Sequence, residues 1–280
     1  MDDICMKPKT MTIERDVQLD ADTREVSIQE VGICNLKYPL TISGVEIDED
    51  ASQLVSAELS LAVSLEKELK GIHMSRLIED LIETQEQISL TGLFALLIRL
   101  KERQGAKGAR LTLAFDYFLA RQAPVSGKIS KQAYHCAYEA KLEASRITIL
   151  QKVEVPVTTL CPCSKEISSY GAHNQRGYVD VEVEHHFTVE QIPKIRMCLE
   201  EIIEQVEAMA SAPLYPILKR VDERFVTMQA YEEPRFVEDM VRNVAVFLRE
   251  DTRSDRWQVR VTNHESIHQH NAFAVVSGAH

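Results

Sequence analysis

Residues 161–176 read Cys-Pro-Cys-Ser-Lys-Glu-Ile-Ser-Ser-Tyr-Gly-Ala-His-Asn-Gln-Arg and hold two thiols, an imidazole and two cations with little to bury. So reactive a stretch, lying between two strand-like segments, suits a loop that presents catalytic groups from a rigid scaffold. A cysteine thiolate, from Cys161 or Cys163, and the imidazole of His173 brought together suit Zn²⁺ or another first-row divalent ion. The competing reading is a surface loop with a partly covered cysteine, since no C-x-x-C pair is present.

A second candidate is His264-Glu265-Ser266-Ile267-His268, which spells H-E-x-x-H. A zinc peptidase needs that pattern on a helix, where residues four apart stand side by side. Strand-like residues flank it here, and on a strand the two imidazoles stand about 13 Å apart, four rises of about 3.3 Å. The third segment, residues 215–239, is rich in charge and contains Lys219, Arg220, Asp222, Glu223 and Glu238. Most of these charges read as solvated helix ends. Glu238 lies beside Val237 and Val241, early in a helix, where a carboxylate can reach a pocket.

These groups must be carried by ordinary elements. Residues up to about 30 are polar without sustained period and read as an arm. Residues 31–47 and 53–63 read as strands, the second through Val55, Ala57, Leu59, Leu61 and Val63 alternating with polar neighbours. Leu77, Ile78, Leu81 and Ile82 share a helical face, and 90–100 is a buried helix ended by Gln104-Gly105. Strand-like segments follow at 110–119 and 134–149, around a turn at 124–127. Val179, Val181 and Val183 then alternate with acids as a strand. Thr188 and Gln191 form a capping-box pattern ahead of a helical face of Ile192, Ile195, Cys198, Leu199, Ile202, Ile203 and Val206. A further helix starts near Pro234, with Val237, Met240, Val241, Val244, Phe247 and Leu248 inward. Strands at 257–261 and 272–276 close the chain.

Strands, two helices, strands thus occur twice, which favours an α+β fold over a parallel βαβ sheet. Gly71-x-His73-x-x-Arg76 and Gly171-x-His173-x-x-Arg176 echo each other weakly. Cys34, Cys136 and Cys198 sit in strand or helix patterns and read as buried thiols. His185 and His186 point to opposite faces of a strand and cannot chelate together.

The 280 residues, 45% hydrophobic and 27% charged, are those of an ordinary globular protein. A net charge of −11 opposes binding to nucleic acid or an anionic membrane, while a pocket for one small anion needs only a few local cations. The longest apolar run, 93–98, is far below the roughly 20 residues of a membrane span. With no apolar leader and six cysteines too sparse for a disulfide scaffold, the expected location is the cytoplasm. Neither a P-loop nor a G-x-G-x-x-G after a strand is present.

Taken together, Thr158 to Lys165, Gly171 to Arg176, Leu218-Lys219-Arg220 with Asp222-Glu223, Phe236 to Met240 and Glu265 to His268 closely resemble type IB GTP cyclohydrolase I. The resemblance runs in order over most of residues 30–278. It implies a tunnelling fold of two tandem units, 31–150 and 151–280, after an arm at 1–30. Each unit would be an antiparallel sheet with two helices, assembling into barrels as a homotetramer with sites at subunit interfaces. By resemblance Cys161, His173 and Glu223 bind one divalent metal (Zn, Mn or Fe), and no organic cofactor is needed. Water activated there attacks C8 of GTP; formate leaves, and 7,8-dihydroneopterin triphosphate forms for folate and pterin synthesis. His268 matches the proton-transfer residue, Glu238 the residue that holds guanine N1–H and the exocyclic amine, and Glu265 a position near the site. Lys165, Arg176, Lys219 and Arg220 are the cations available to the triphosphate, and Cys163 is placed to orient Cys161 or the substrate. The alternatives are a tunnelling-fold purine or pterin binder, a deazapurine reductase with a nucleophilic cysteine, and the metallopeptidase.

Overall fold

The computed structural model describes residues 16–42, 52–84, 87–190 and 197–280. Eight long strands pair antiparallel in chain order: β1 (Ile28–Ile42), β2 (Gln53–Leu65), β4 (Gly108–Gln122), β5 (Ile129–Glu143), β6 (Arg146–Leu160), β7 (Asn174–Thr188), β8 (Arg256–His264) and β9 (Ala272–Ala279). A two-residue strand, β3 (Gln87–Ile88), joins the outer side of β1 in parallel. Helices α1 (Met74–Glu83) and α2 (Leu90–Gln104) separate β2 from β4. Between β7 and β8 come α4 (Leu199–Met209), α5 (Arg220–Glu232) and α6 (Val237–Glu250), while the short α3 (Pro162–Ile167) interrupts the β6/β7 connection. The α+β reading and the twofold plan hold, but the second unit carries an additional full helix, α5, whose exposed Val221, Phe225 and Met228 do not face the core.

The long sheet is continuous because β5 pairs with β6 from His135↔Glu154 to Glu143↔Arg146. The single strand expected at 134–149 is therefore two, reversing at Ala144, which takes φ 52°. The bend holds Ala144 and Ser145 with no Gly, Asn or Pro, so a single serine is the only turn signal there. Residue 150, the expected unit boundary, lies within β6, a few residues after the bend at Ala144. Of the expected strand at 31–47, residues 43–47 lie outside the described residues.

Burial follows the alternation read from sequence. Val55, Ala57, Leu59, Leu61 and Val63 of β2 and Val179, Val181 and Val183 of β7 all face the helix layer and are buried. Helix α6 contributes Val237, Met240, Val241, Val244 and Leu248 to that layer, each fully buried aliphatic side chain stabilising by about 1.5–3 kcal/mol. Helix α2 is capped by Ser89 Oγ, which accepts from Gly92 N at 3.0 Å, and stopped by left-handed Gly105 at φ 63°. The opposite sheet face is polar. Across it Glu30, Arg110, Glu139, Lys152 and Glu182 form an alternating row, with pair distances of 2.9, 3.3, 2.8 and 3.2 Å.

Three local expectations change. Helix α4 begins at Leu199, with Cys198 as its cap: Sγ accepts from Glu201 N at 3.4 Å, so Cys198 is only partly covered. Gln191, Ile192 and Ile195, read into that helix, lie outside the described residues. Cys136 is buried as expected, but Cys34 is exposed on edge-proximal β1. His73 precedes α1 and His173 precedes β7, so the Gly-x-His-x-x-Arg echo does not mark equivalent places. Among the described residues no helix is long and apolar enough to cross a membrane.

Candidate functional site

Cys161 directly follows β6, and His173 directly precedes β7. The register Leu160↔Asn174 makes these two residues the neck of the connection, closed by Cys161 N donating to His173 O at 3.1 Å. Above the neck Pro162 starts α3, where its missing N–H is no loss. Cys161 Sγ accepts from Ser164 N at 3.4 Å, and Ser164 Oγ in turn accepts from His173 N at 3.2 Å. Cys161 and the backbone of His173 are thus held by hydrogen bonds rather than carried on a free loop. The far part of the connection, with Ile167 and Tyr170, projects into solvent.

Where β6 leaves β5 it acquires other partners. Thr158 N donates to Ala212 O at 2.9 Å, Leu160 N to Ser211 Oγ at 3.1 Å, and Arg235 N to Leu160 O at 3.0 Å. The last bond sets the link between α5 and α6 against the residue before Cys161.

The histidine is oriented from behind. Gln175 Oε1 lies 2.9 Å from His173 Nδ1, while Gln175 Nε2 donates to Thr159 Oγ1 at 2.9 Å. With the amide nitrogen on Thr159 the oxygen faces the ring, and the Nδ1–H tautomer of His173 is the one that satisfies it and presents the Nε2 lone pair. Glu265 Oε2 stands 3.9 Å from the same Nδ1, and both side chains are largely covered. A metal-binding histidine characteristically has its other nitrogen anchored in this way. Neither Gln175 nor Thr159 was singled out from sequence, because two neutral polar residues on facing strands carry no compositional signal.

The other expected residues share this end of the sheet without converging. The register Arg176↔His264 brings the β8/β9 connection alongside the neck. Arg176 and His268 are exposed, and the His268 and His270 rings stack at 5.0 Å. Glu223 lies exposed in the first turn of α5 behind Lys219 and Arg220, which are also exposed; Glu238 is exposed in the first turn of α6. Lys165 reaches instead to the last turn of α5: Nζ donates to Tyr231 O at 2.5 Å and lies 4.5 Å from the Tyr231 ring centroid. The H-E-x-x-H reading fails, because His264 ends β8 and residues 265–271 are not helical.

Next to Glu223, Asp222 is buried. Burial by itself raises its pKa, but the Ser126 hydroxyl and the amides of Ser126, Lys219 and Val125 outweigh that and hold the carboxyl well below its ordinary value.

The donor chemistry of Cys161 Sγ and His173 Nε2 fits a divalent first-row ion. Among the described residues, however, no three His, Cys, Asp or Glu side chains gather closely enough to enclose one within a single chain.

A family model described as type I GTP cyclohydrolase folE2 matches residues 15–274. The GTP cyclohydrolase FolE2 of Magnetococcus marinus is 42% identical over 263 residues, 94% of this chain and 95% of that protein. That of Caldicellulosiruptor bescii is also 42% identical over 263 residues, covering 94% and 98%. Among solved structures, uricase from Arthrobacter globiformis superposes with a TM-score of 0.50 at 8% identity, covering 90% of this chain and 93% of that one. Urate oxidase from Bacillus sp. TB-90 gives 0.51 at 8% identity over 90% and 100%. At such identity the likeness concerns the tunnelling fold alone.

Proposed function

The chain belongs to the type I GTP cyclohydrolase FolE2 family, and we propose that it hydrolyses GTP at C8, releasing formate and forming 7,8-dihydroneopterin triphosphate. The observation that carries this reading at the level of residues is the neck at Cys161 and His173, with the imidazole turned by Gln175 to offer Nε2. Cys161 and His173 would hold a divalent Zn, Mn or Fe ion, with Glu223 as the third protein ligand. Such an ion supplies the Lewis acidity that makes water nucleophilic near neutral pH.

The chain's own side chains do the rest. Glu238, with two acceptor oxygens, takes the N1–H and exocyclic amine of guanine, a donor pair that adenine lacks. His268 delivers a proton to a ring nitrogen as the imidazole portion opens, the work for which histidine is generally suited. Arg176, Lys219 and Arg220 are exposed cations at the same end of the sheet and meet the triphosphate. Lys165, already held by α5, is a weaker candidate for that task. Glu265 supports His173 from the side opposite the ligand.

That Glu223, Glu238 and His268 are exposed and unconverged supports a site completed by a second copy, in a cytoplasmic homotetramer with no organic cofactor. The test is formate release from GTP, with a fluorescent pterin after oxidation, in the presence of Zn²⁺, Mn²⁺ or Fe²⁺. Cys161→Ala abolishes both products. Absence of formate with all three metals overturns the reading.

A further inference from the structure

Helix α5 is absent from the first unit's plan, yet it carries Glu223 and Arg220 and is capped by Lys219. It is fastened at both ends. At the C-terminal end Lys165 Nζ donates to Tyr231 O at 2.5 Å. At the N-terminal end the fully buried carboxylate of Asp222 takes four hydrogen bonds. Three come from the turn between β4 and β5: Val125 N at 2.8 Å, Ser126 N at 2.7 Å and Ser126 Oγ at 2.6 Å. The fourth comes from Lys219 N, at 2.8 Å, at the start of α5 itself.

We propose that Asp222 is the positioning residue for Glu223, fixing α5 to the turn of the first unit so that the second unit's ligand carboxylate stands where the metal needs it. The inference rests on the reading of Glu223 as a ligand. Its physical basis is leverage. Glu223 is about 12 Å along the helix from Tyr231, eight residues at about 1.5 Å each. Held only at Tyr231, α5 could tilt; about 5° of tilt moves Glu223 by about 1 Å, several times the ~0.2 Å tolerance of metal–ligand distances. The Asp222 clamp removes that freedom because its bonds come from a separate part of the sheet. It also gives the first unit a part in the site although it contributes none of the proposed ligands. Ser126 shares the role from the other side, its hydroxyl and amide both directed at one carboxylate.

The experiment measures Zn²⁺ and Mn²⁺ affinity of the full-length protein by competition with a chromophoric chelator, alongside kcat and KM for GTP. Asp222→Ala weakens metal affinity by about 10–100-fold, the usual effect of losing an outer support, and saturating metal restores most of kcat. Ser126→Ala shows a smaller loss in the same direction, and Asp222→Asn, which keeps one acceptor oxygen, falls between the two. Glu223→Ala loses affinity further, and its kcat is not restored by metal. If Asp222→Ala does not fold, the Ser126→Ala result decides. Wild-type metal affinity in both Asp222→Asn and Ser126→Ala, with affinity lost in Glu223→Ala, overturns the positioning role alone. Wild-type affinity in Glu223→Ala overturns the ligand reading instead.

Discussion

Replacing Gln175 by leucine separates two jobs that one side chain performs. Its oxygen meets His173 Nδ1 and its nitrogen donates to Thr159 Oγ1, both at 2.9 Å, in a place where Gln175 is 8% and Thr159 0% exposed. Loss of the oxygen frees the tautomer and rotation of His173. Removing such an anchor typically costs 10–100-fold in metal affinity, or about 1.4–2.8 kcal/mol. Loss of the nitrogen leaves the buried Thr159 hydroxyl without its donor, a cost to stability of about 1–3 kcal/mol. The two effects are separable because Thr159→Val removes the orphaned hydroxyl. Gln175→Leu/Thr159→Val should therefore regain much of the stability lost in Gln175→Leu, since exchanging both partners for apolar groups is far cheaper than stranding one. Its metal affinity should stay low. Urea unfolding of the metal-free proteins reports the first quantity and chelator competition the second. Unchanged zinc affinity in Gln175→Leu, measured on folded protein, refutes the argument that His173 is set through Nδ1.

Other consequences are equally direct. Buried Glu207 pairs at 3.0 Å with the partly covered Arg121, with Tyr134 donating to the same carboxylate, between α4 and the β4/β5 hairpin. Arg121 keeps the Tyr134 hydroxyl and the Ala120 carbonyl, so Glu207→Ala removes its carboxylate partner alone and should cost about 1–3 kcal/mol in urea unfolding; a loss below about 0.5 kcal/mol would contradict the burial of Glu207. A Cβ built at Gly278 would lie 2.4 Å from Trp257 Cζ2, so Gly278→Ala must displace a buried indole. It should lower stability by about 1–3 kcal/mol, and an unchanged melting temperature would show that the ring does not rest on that strand. Asp222 has a depressed carboxyl pKa in the folded protein, so its stabilisation is complete above the ordinary value of about 3.9 and disappears as pH falls from there toward the folded value. The stability gap between wild type and Asp222→Asn should therefore be flat above about pH 5 and narrow below about pH 4. A gap independent of pH down to acid unfolding would count against the buried, ionised carboxylate.

The parts of the fold that were legible in sequence share a cause. Val55 to Val63 on β2 and Val237 to Leu248 on α6 bury one face each, so the period of the apolar residues reports the element directly. The reversal at Ala144 was faintly marked because an alanine takes the left-handed conformation there, leaving Ser145 as the one turn-forming residue. Helix α5 read as charged helix ends because its apolar residues face outward. Cys198 read as core because it borders an apolar face, yet its sulfur caps α4.

At the candidate site, sequence alone determined the types of donor available and the family motif that contains them: Cys161, His173, Glu223, Glu238, Glu265 and His268. The antiparallel pairing of β6 with β7 then brought Cys161 and His173 within reach of each other, since a connection between paired antiparallel strands returns to where it began. Only the tertiary structure decided what each side chain is tied to. Lys165 grips the end of α5 although its charge alone suited a phosphate, Gln175 turns an imidazole, and Asp222 reaches a turn almost a hundred residues earlier in the chain. These partnerships join elements whose contact is set by burial of apolar faces elsewhere in the molecule. The residues that form them therefore leave no local period or spacing by which they could have been recognised.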